Sequence, residues 1–227
     1  MQVWMRCVVV VVTSFIAGCA TGHPPRAVYQ DPSTVISIQS DTKAGQDQSH
    51  PSAVSPEAIR YVLDGMRVQS RSSFIPSIMT GGASYGMAFS NDEQAVLAPY
   101  LSQALAVARP DELVTFYRRV STPAVGLAIT SGGLFVHGQH LYIVLANSRT
   151  LPSEGMSQSI VSEIDPVDSP LLPISRRAFR AAFIPATSMV PEDERWGWSY
   201  IDPGRLVVID LIQLGRDMRS LALSDAP

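Results

Sequence analysis

A serine flanked by glycines is the candidate in this chain for covalent catalysis. Residues 82–86 read G-A-S-Y-G, which fits the G-x-S-x-G pattern of a nucleophile elbow centred on Ser84. An elbow of this kind requires a tight turn from a buried strand into a helix, beside a histidine base. The residues before Ser84 form a poor central strand, and the next predicted helix starts only at Ser90. We therefore expect a glycine-rich loop here, with serine hydrolysis through Ser84 as an alternative.

Two histidines could offer imidazole nitrogens to a metal ion. His137 and His140 flank a Gly-Gln pair that is predicted to be a hairpin turn. Zinc sites use at least three protein ligands, and the chain contains no H-E-x-x-H sequence. Its only cysteines are Cys7 and Cys19, both near the N-terminus. We expect exposed turn histidines, with no metal and no cofactor.

A run of alternating aromatic residues is the candidate ligand surface. Trp196, Trp198 and Tyr200 are spaced at period two, which places three rings on one face of an extended segment. Aromatic side chains of this kind line sites for sugars and peptides. The alternative is a strand or loop that covers the core.

Three arginines could contact an anionic group. Arg176, Arg177 and Arg180 fall on one side of a helix predicted over residues 175–183, with Phe179 and Phe183 as an i, i+4 apolar pair. A basic helix face of this kind can meet anionic head groups or acidic side chains. The alternative is an ordinary surface helix with one polar face.

The first residues of the chain carry an export signal. A short positively charged start is followed by nine residues, 7–15, that are mostly apolar, and then by small residues. This order is typical of a secretory signal peptide. The apolar run is too short for a membrane span, which needs about 20 residues.

Ile16-Ala17-Gly18-Cys19 resembles the lipobox of bacterial lipoproteins. The resemblance covers only this N-terminal segment. It implies that the peptide before Cys19 is removed and that Cys19 becomes the lipidated first residue of the mature chain. It also implies an outer-membrane location, because the residue after the cysteine is Ala20 and not the aspartate that favours retention in the inner membrane.

Composition excludes several other functions. The chain has 17 basic and 20 acidic residues and a pI near 5.8, which argues against nucleic-acid binding through bulk charge. With Cys7 removed and Cys19 lipidated, the mature domain has no thiol for a disulfide or for cysteine catalysis. The 46% hydrophobic content suits a chain with one packed core.

The chain divides into a signal peptide at residues 1–18, a flexible tether at 19–54, a globular domain at 55–215 and a C-terminal tail at 216–227. Residues 20–56 are rich in Pro, Gly and Ser and show no period, although residues 34–38 could form a strand. A helix over 56–67 is capped by Ser55, and a second begins at Ser90 with a capping box. Pro99 is expected to kink or divide this second helix.

The second half of the chain predicts strands. Residues 113–120, 124–130, 134–136, 141–146 and 205–211 are short and β-rich, with turns at residues 131–133 and 137–140. Connections this short require antiparallel neighbours. We expect a single small α+β domain in which N-terminal helices pack on an antiparallel meander.

Together these features favour a non-catalytic lipoprotein of the cell envelope. The membrane is reached through the lipid on Cys19, and the partner is an envelope protein or a glycan. The alternatives are a small-ligand or glycan-binding lipoprotein and a serine hydrolase.

Overall fold

The computed structural model describes most of the chain. The described residues are 24–41, 47–70, 85–122, 126–151, 167–175, 179–196 and 202–224. They form a single α+β domain with two sheets and three helices, so the predicted fold class is confirmed at that level.

The larger sheet has six strands, all in antiparallel pairs, in the order β1-β2-β5-β6-β7-β9. These strands are β1 (Arg26–Gln30), β2 (Thr34–Ser40), β5 (Glu112–Thr122), β6 (Gly126–His137), β7 (His140–Thr150) and β9 (Leu206–Asp210). The smaller sheet has the order β4-β3-β8, with β3 (Met66–Ser70), β4 (Gly86–Met87) and β8 (Phe179–Phe183).

The helices are α1 (Pro56–Gly65), α2 (Asn91–Leu105) and α3 (Leu211–Ser224). Buried side chains of α1 and α2 share one hydrophobic cluster with side chains of β2, β5, β6, β7 and β9. Among the described residues, no helix combines the length and the apolar character that crossing a membrane requires.

The predicted tether is wrong over its described part. Residues 26–30 and 34–40 are strands of the larger sheet, and residues 47–54 pack beside it. Ile36 and Ile38 are buried in the main core, while the backbone of β2 is paired on both sides. Few apolar side chains are enough for these residues to join the sheet, because strand pairing also satisfies the hydrogen bonds of their polar backbone. The average composition of residues 20–56 does not reveal this pairing.

The predicted turn at residues 131–133 is also wrong. β6 is one strand that runs through Gly132 and Gly133 and pairs with β5 and β7. A Cβ on Gly132 would overlap the Val144 carbonyl oxygen and lie 2.9 Å from Cζ of Phe116. Glycine is therefore needed at this position for close approach between strands and not for a turn.

The helix predicted over residues 175–183 is wrong where the structure describes it. Residues 179–183 form β8, which pairs antiparallel with β3. The Phe183 ring packs against Gly65 and meets Tyr61 edge-on, with centroids 6.4 Å apart. Tertiary pairing with β3 thus overrides the helical spacing of Phe179 and Phe183.

The predicted helix starts are confirmed. Ser55 caps α1 with Pro56 as its first residue, and Ser90 and Glu93 form the capping box of α2. α1 ends at Gly65 and not at Arg67, and α2 continues through Pro99 as one helix.

The C-terminal boundary differs from the prediction. α3 extends to Ser224, so residues 216–224 are helical and the predicted tail is wrong there. Leu214 of this helix is buried in the main core.

Candidate functional site

Trp196 lies against the hairpin formed by β6 and β7. It follows a short 3-10 turn at Glu192–Glu194, and its backbone N–H donates to the Tyr142 hydroxyl oxygen at 3.0 Å. The indole stacks on the His137 imidazole, with centroids 4.6 Å and planes 17° apart, and Phe135 meets it edge-on at 6.3 Å. One face of the half-buried indole is therefore covered by protein.

The predicted three-ring platform is only partly described. Trp198 and Tyr200 lie outside the described residues, and Trp196 packs on the second core cluster, which includes Phe135 and Tyr142. The packed face of Trp196 therefore agrees with the alternative prediction, a segment that covers the core.

The β6–β7 hairpin beneath Trp196 is stabilised by a glycine in its turn and by hydrogen bonds to residues 47–49. Gly138 has φ +60°, a conformation that suits glycine, and its N–H donates to Ser49 Oγ at 2.8 Å. Nδ1 of His137 lies 2.9 Å from the Asp47 carbonyl oxygen. The predicted turn at residues 137–140 is confirmed, but its two histidines, His137 and His140, are half-buried and not exposed as predicted.

A shallow, open depression of about 480 Å³ lies between this turn and residues 194–196. Its lining includes His137, His140, Glu194 and Arg195 beside the indole. The depression therefore offers an aromatic wall with both signs of charge at its rim, which suits a neutral ring that stacks and forms hydrogen bonds.

The ionisable groups of the depression are held by the fold. Nε of Arg195 donates to the Val190 carbonyl oxygen at 3.0 Å, and burial lowers the pKa of Arg195, while Glu192 opposes that shift. Burial raises the pKa of the Tyr142 hydroxyl above its usual value, so the hydroxyl stays protonated at neutral pH. The Tyr142 hydroxyl is therefore not poised to act as a base.

The part of the chain that the structure describes contains no group of three His, Cys, Asp or Glu side chains that could hold a metal ion. His137 and His140 do oppose each other across the turn.

The predicted arginine surface is not assembled within the described residues. Arg180 is an exposed residue of β8, and its Nη2 lies 3.7 Å from Oε1 of Glu192. Arg176 and Arg177 lie outside the described residues. A single exposed ion pair of this kind contributes little to stability or binding.

The structure contains an ion-pair cluster around Glu93 that is not predicted from the sequence. This buried carboxylate accepts from the Ser90 N–H at 2.7 Å and lies 3.5 Å from Arg149 Nη2 and 3.8 Å from Arg118 Nε. The capping box reveals the contact with Ser90, but no sequence signal joins Glu93 to arginines on β5 and β7. The cluster ties the start of α2 to the larger sheet.

Cys19 and Ser84 lie outside the described residues, so lipidation and serine hydrolysis stay predictions. No family model, no curated protein and no solved structure matches this chain.

Proposed function

We propose that the protein is a lipoprotein of the cell envelope, anchored in the outer membrane through Cys19, with a non-catalytic role in interaction or assembly. The observation that carries the proposal is the tetrad Ile16-Ala17-Gly18-Cys19, placed directly after the apolar run of a signal peptide. Ala20 favours the outer membrane in lipoproteins that share this pattern.

Features of the described domain support an interaction role. Within the part of the chain that the structure describes, β1 is a short edge strand of the larger sheet, with one side not paired to another strand. Exposed apolar side chains continue along α3 to Leu223, whose relative exposure is 77%. Edge strands and exposed apolar side chains are the surfaces through which non-catalytic domains associate. We further infer that α1 and α2 form a layer on one face of the larger sheet, as their shared core cluster indicates.

The anchor is tested on the full chain in a bacterium with two membranes. Mass spectrometry of the membrane fraction is expected to find an acylated N-terminus at Cys19. Cys19→Ala is expected to block processing or release the protein. A soluble wild-type product with a free Cys19 thiol would overturn the proposal.

The location is tested with a matched pair of variants. Ala20→Asp is expected to move the protein to the inner-membrane fraction, whereas Ala20→Ser is expected to leave it in the outer membrane. Inner-membrane fractionation of the wild type and both variants would contradict the proposed location.

The interaction role is tested at α3. A photo-crosslinking residue at Leu223 is expected to give one discrete adduct in intact cells, and the same residue at Arg216, which is exposed on the same helix, is expected to give none. Equal yields at both positions would argue against an interface on α3.

A second candidate is the binding of a small ligand or glycan, which the depression beside Trp196 favours. Titration with peptidoglycan fragments is expected to change the tryptophan fluorescence of the wild type and to leave the Trp196→Phe variant unchanged. An identical response from the variant would rule out this surface.

A further inference from the structure

We infer that the domain rests on the phospholipid headgroups of its own membrane through one end of the six-stranded sheet. The inference rests on the proposed lipidation of Cys19. We call this end the proximal end and define it by Arg26, Ser40, Glu112, Asp210 and the β6–β7 turn.

Strand register brings these residues to one edge. Arg26 pairs with Ile38 near the end of β2, and Ser40 pairs with Glu112 at the start of β5. His140 at the β6–β7 turn pairs with Asp210 at the end of β9. The proximal end is therefore built from every strand of the larger sheet.

Hydrogen bonds make this end one continuous surface. Arg26 Nη2 donates to Glu112 Oε2 at 2.6 Å and to the Val107 carbonyl oxygen at 2.9 Å. The Gln48 N–H donates to Pro110 O at 3.2 Å. The Ser49 N–H donates to the Val136 carbonyl oxygen, and Ser49 Oγ accepts from the Gly138 N–H. The surface therefore reaches the turn beneath Trp196.

Chain length limits how far this end can stand from the bilayer. Arg26, the first strand residue, follows Cys19 by seven positions. A chain segment of that length spans at most about 25 Å when fully extended, at ~3.5 Å per residue. A lipid on Cys19 thus holds Arg26 within that distance of the headgroup layer.

The same limit disfavours the inverted orientation. Strand register places Arg26 level with Ile38, Val114 and Leu134, and Leu134 lies eight residues from the Gly126 end of β6. If that end of the sheet rested on the membrane, Arg26 would stand about 26 Å above it at ~3.3 Å per residue, which requires full extension of the linking residues. End-on seating through the proximal end and side-on seating do not require that extension.

The side chains at the proximal end favour end-on seating. Val107 is an apolar residue with 52% exposure beside the Arg26 guanidinium, and Trp196 presents a half-buried indole at the same end. Tryptophan and arginine beside apolar groups are typical of surfaces at the headgroup level.

The charges at this end specify the lipid class. Exposed acidic residues, Asp47 and Glu194, accompany the exposed cations Arg26 and Arg109. A surface of mixed sign gains little from an anionic membrane, because attraction and repulsion offset each other. The partner that fits is a zwitterionic phospholipid layer such as phosphatidylethanolamine.

The test measures the distance from single nitroxide labels to the headgroups of lipidated protein in vesicles. Cys19 is blocked by its lipid, so a cysteine placed at Val107 or Gln139 reports the proximal end. Leu127, 41% exposed near the far end of β6, gives the matched distal position. A nickel-chelating lipid supplies the relaxing agent at the headgroup level.

We expect relaxation at the two proximal labels to exceed that at the Leu127 label by at least about fivefold, in phosphatidylethanolamine and phosphatidylcholine vesicles alike. Replacing a third of the lipid with phosphatidylglycerol is expected to leave this ratio unchanged. Inserting 15 Gly/Ser residues after Ala20 is expected to abolish the ratio, since the longer linker frees the domain to rotate. Persistence of the ratio after insertion would overturn the length argument.

Equal relaxation at proximal and distal labels would overturn the end-on seating, and a ratio that appears only with phosphatidylglycerol would overturn the zwitterionic partner. The mass of the N-terminal peptide is read from the same samples. With Cys19 acylated, either failure leaves the lipoprotein proposal standing, whereas an unmodified Cys19 overturns both proposals together.

Discussion

The β1–β2 hairpin and the β6–β7 hairpin belong to one sheet, yet the sequence predicts the turn of the second and assigns the first to a tether with one possible strand. β7 is an interior strand between β6 and β9, and its residues 141–147 form a continuous buried run. β1 is an edge strand whose residues are exposed or half-buried, and among the described strands it pairs only with β2. The difference shows that a run of apolar residues reports burial on both faces and not membership of the sheet.

The two hairpins also reverse the chain by different chemistry. Gly138 turns the second hairpin through a positive φ of 60°. In the first hairpin, Oδ1 of Asp31 accepts from the N–H groups of Ser33 and Thr34 at 2.6 and 2.8 Å. An Asp-Pro-Ser turn between polar residues resembles a linker in composition, so its structural role is visible only once its partners are known.

The largest test of this comparison removes the first hairpin. A soluble chain that starts at Ser52 loses β1 and β2, and with them the buried side chains of Ile36 and Ile38. Their burial alone is worth about 3–6 kcal/mol, a large part of a typical domain stability of ~5–15 kcal/mol. We expect this chain to be unfolded by circular dichroism at 25 °C.

The matched chain starts at Pro24 and retains both strands. It is expected to unfold in urea with the midpoint of the full mature domain. Equal midpoints for the two truncated chains would show that the first hairpin is dispensable and that residues 24–51 act as the tether predicted from composition.

The second test breaks the β6–β7 pairing at its closest approach. In Gly132→Ala the new methyl group meets the Val144 carbonyl oxygen and the Phe116 ring, so backbone must shift. We expect a loss of about 3 kcal/mol in the free energy of unfolding, measured in urea.

Gly215→Ala is the control for this test. Gly215 lies in α3, and the nearest atom to its new Cβ is Nη1 of Arg219 at 3.8 Å. A helical Gly→Ala change with room for the methyl group is expected to gain about 0.5–1 kcal/mol. A neutral Gly132→Ala variant would mean that β6 and β7 can separate at this position.

The sequence predicts elements well where local chemistry decides them. The caps of α1 and α2, the turn at residues 137–140 and the strand β9 all follow from side chains within a few residues of each other. It fails at β8 and at Gly132, where the deciding partners are β3 and Val144. For the candidate site, the aromatic run marks Trp196, but only the fold brings it onto His137.

A smaller effect is expected at the turn of the first hairpin. Hydrogen bonds from Tyr29, Ser33 and Thr34 lower the pKa of Asp31 to about 2. The folded state therefore binds fewer protons than the unfolded state, and this stabilisation is complete above about pH 3.8 and is lost as the pH falls towards 2.

Two substitutions separate charge from hydrogen bonding at Asp31. Asp31→Ala is expected to cost about 1 kcal/mol at pH 7, since two backbone N–H groups lose their acceptor. Asp31→Asn keeps an acceptor oxygen and is expected to cost less, while the dependence of stability on pH between 2 and 4 weakens. An unchanged pH profile in both variants would contradict the assigned role.

The smallest effect is expected at His50, which lies in the chain between the β1–β2 and β6–β7 hairpins. His50 is buried, and its Nε2 accepts from the Val136 N–H of β6 at 3.3 Å. Burial lowers the pKa of His50 below 6.5, and the Leu105 carbonyl and the charge of Glu112 oppose that shift only in part. The unfolded state therefore binds a proton more readily than the folded state does.

This contribution has a defined sign. It is complete above about pH 6.5 and is lost as the pH falls from there towards the lowered pKa of the folded state. Urea midpoints of the wild type should therefore fall between pH 6.5 and 5. In His50→Gln, which keeps an acceptor but does not titrate, that fall should be smaller. The difference between the pH slopes of the wild type and of His50→Gln isolates the contribution of His50 from that of the other histidines. Parallel slopes would show that the folded protein tolerates a charged imidazole at this position.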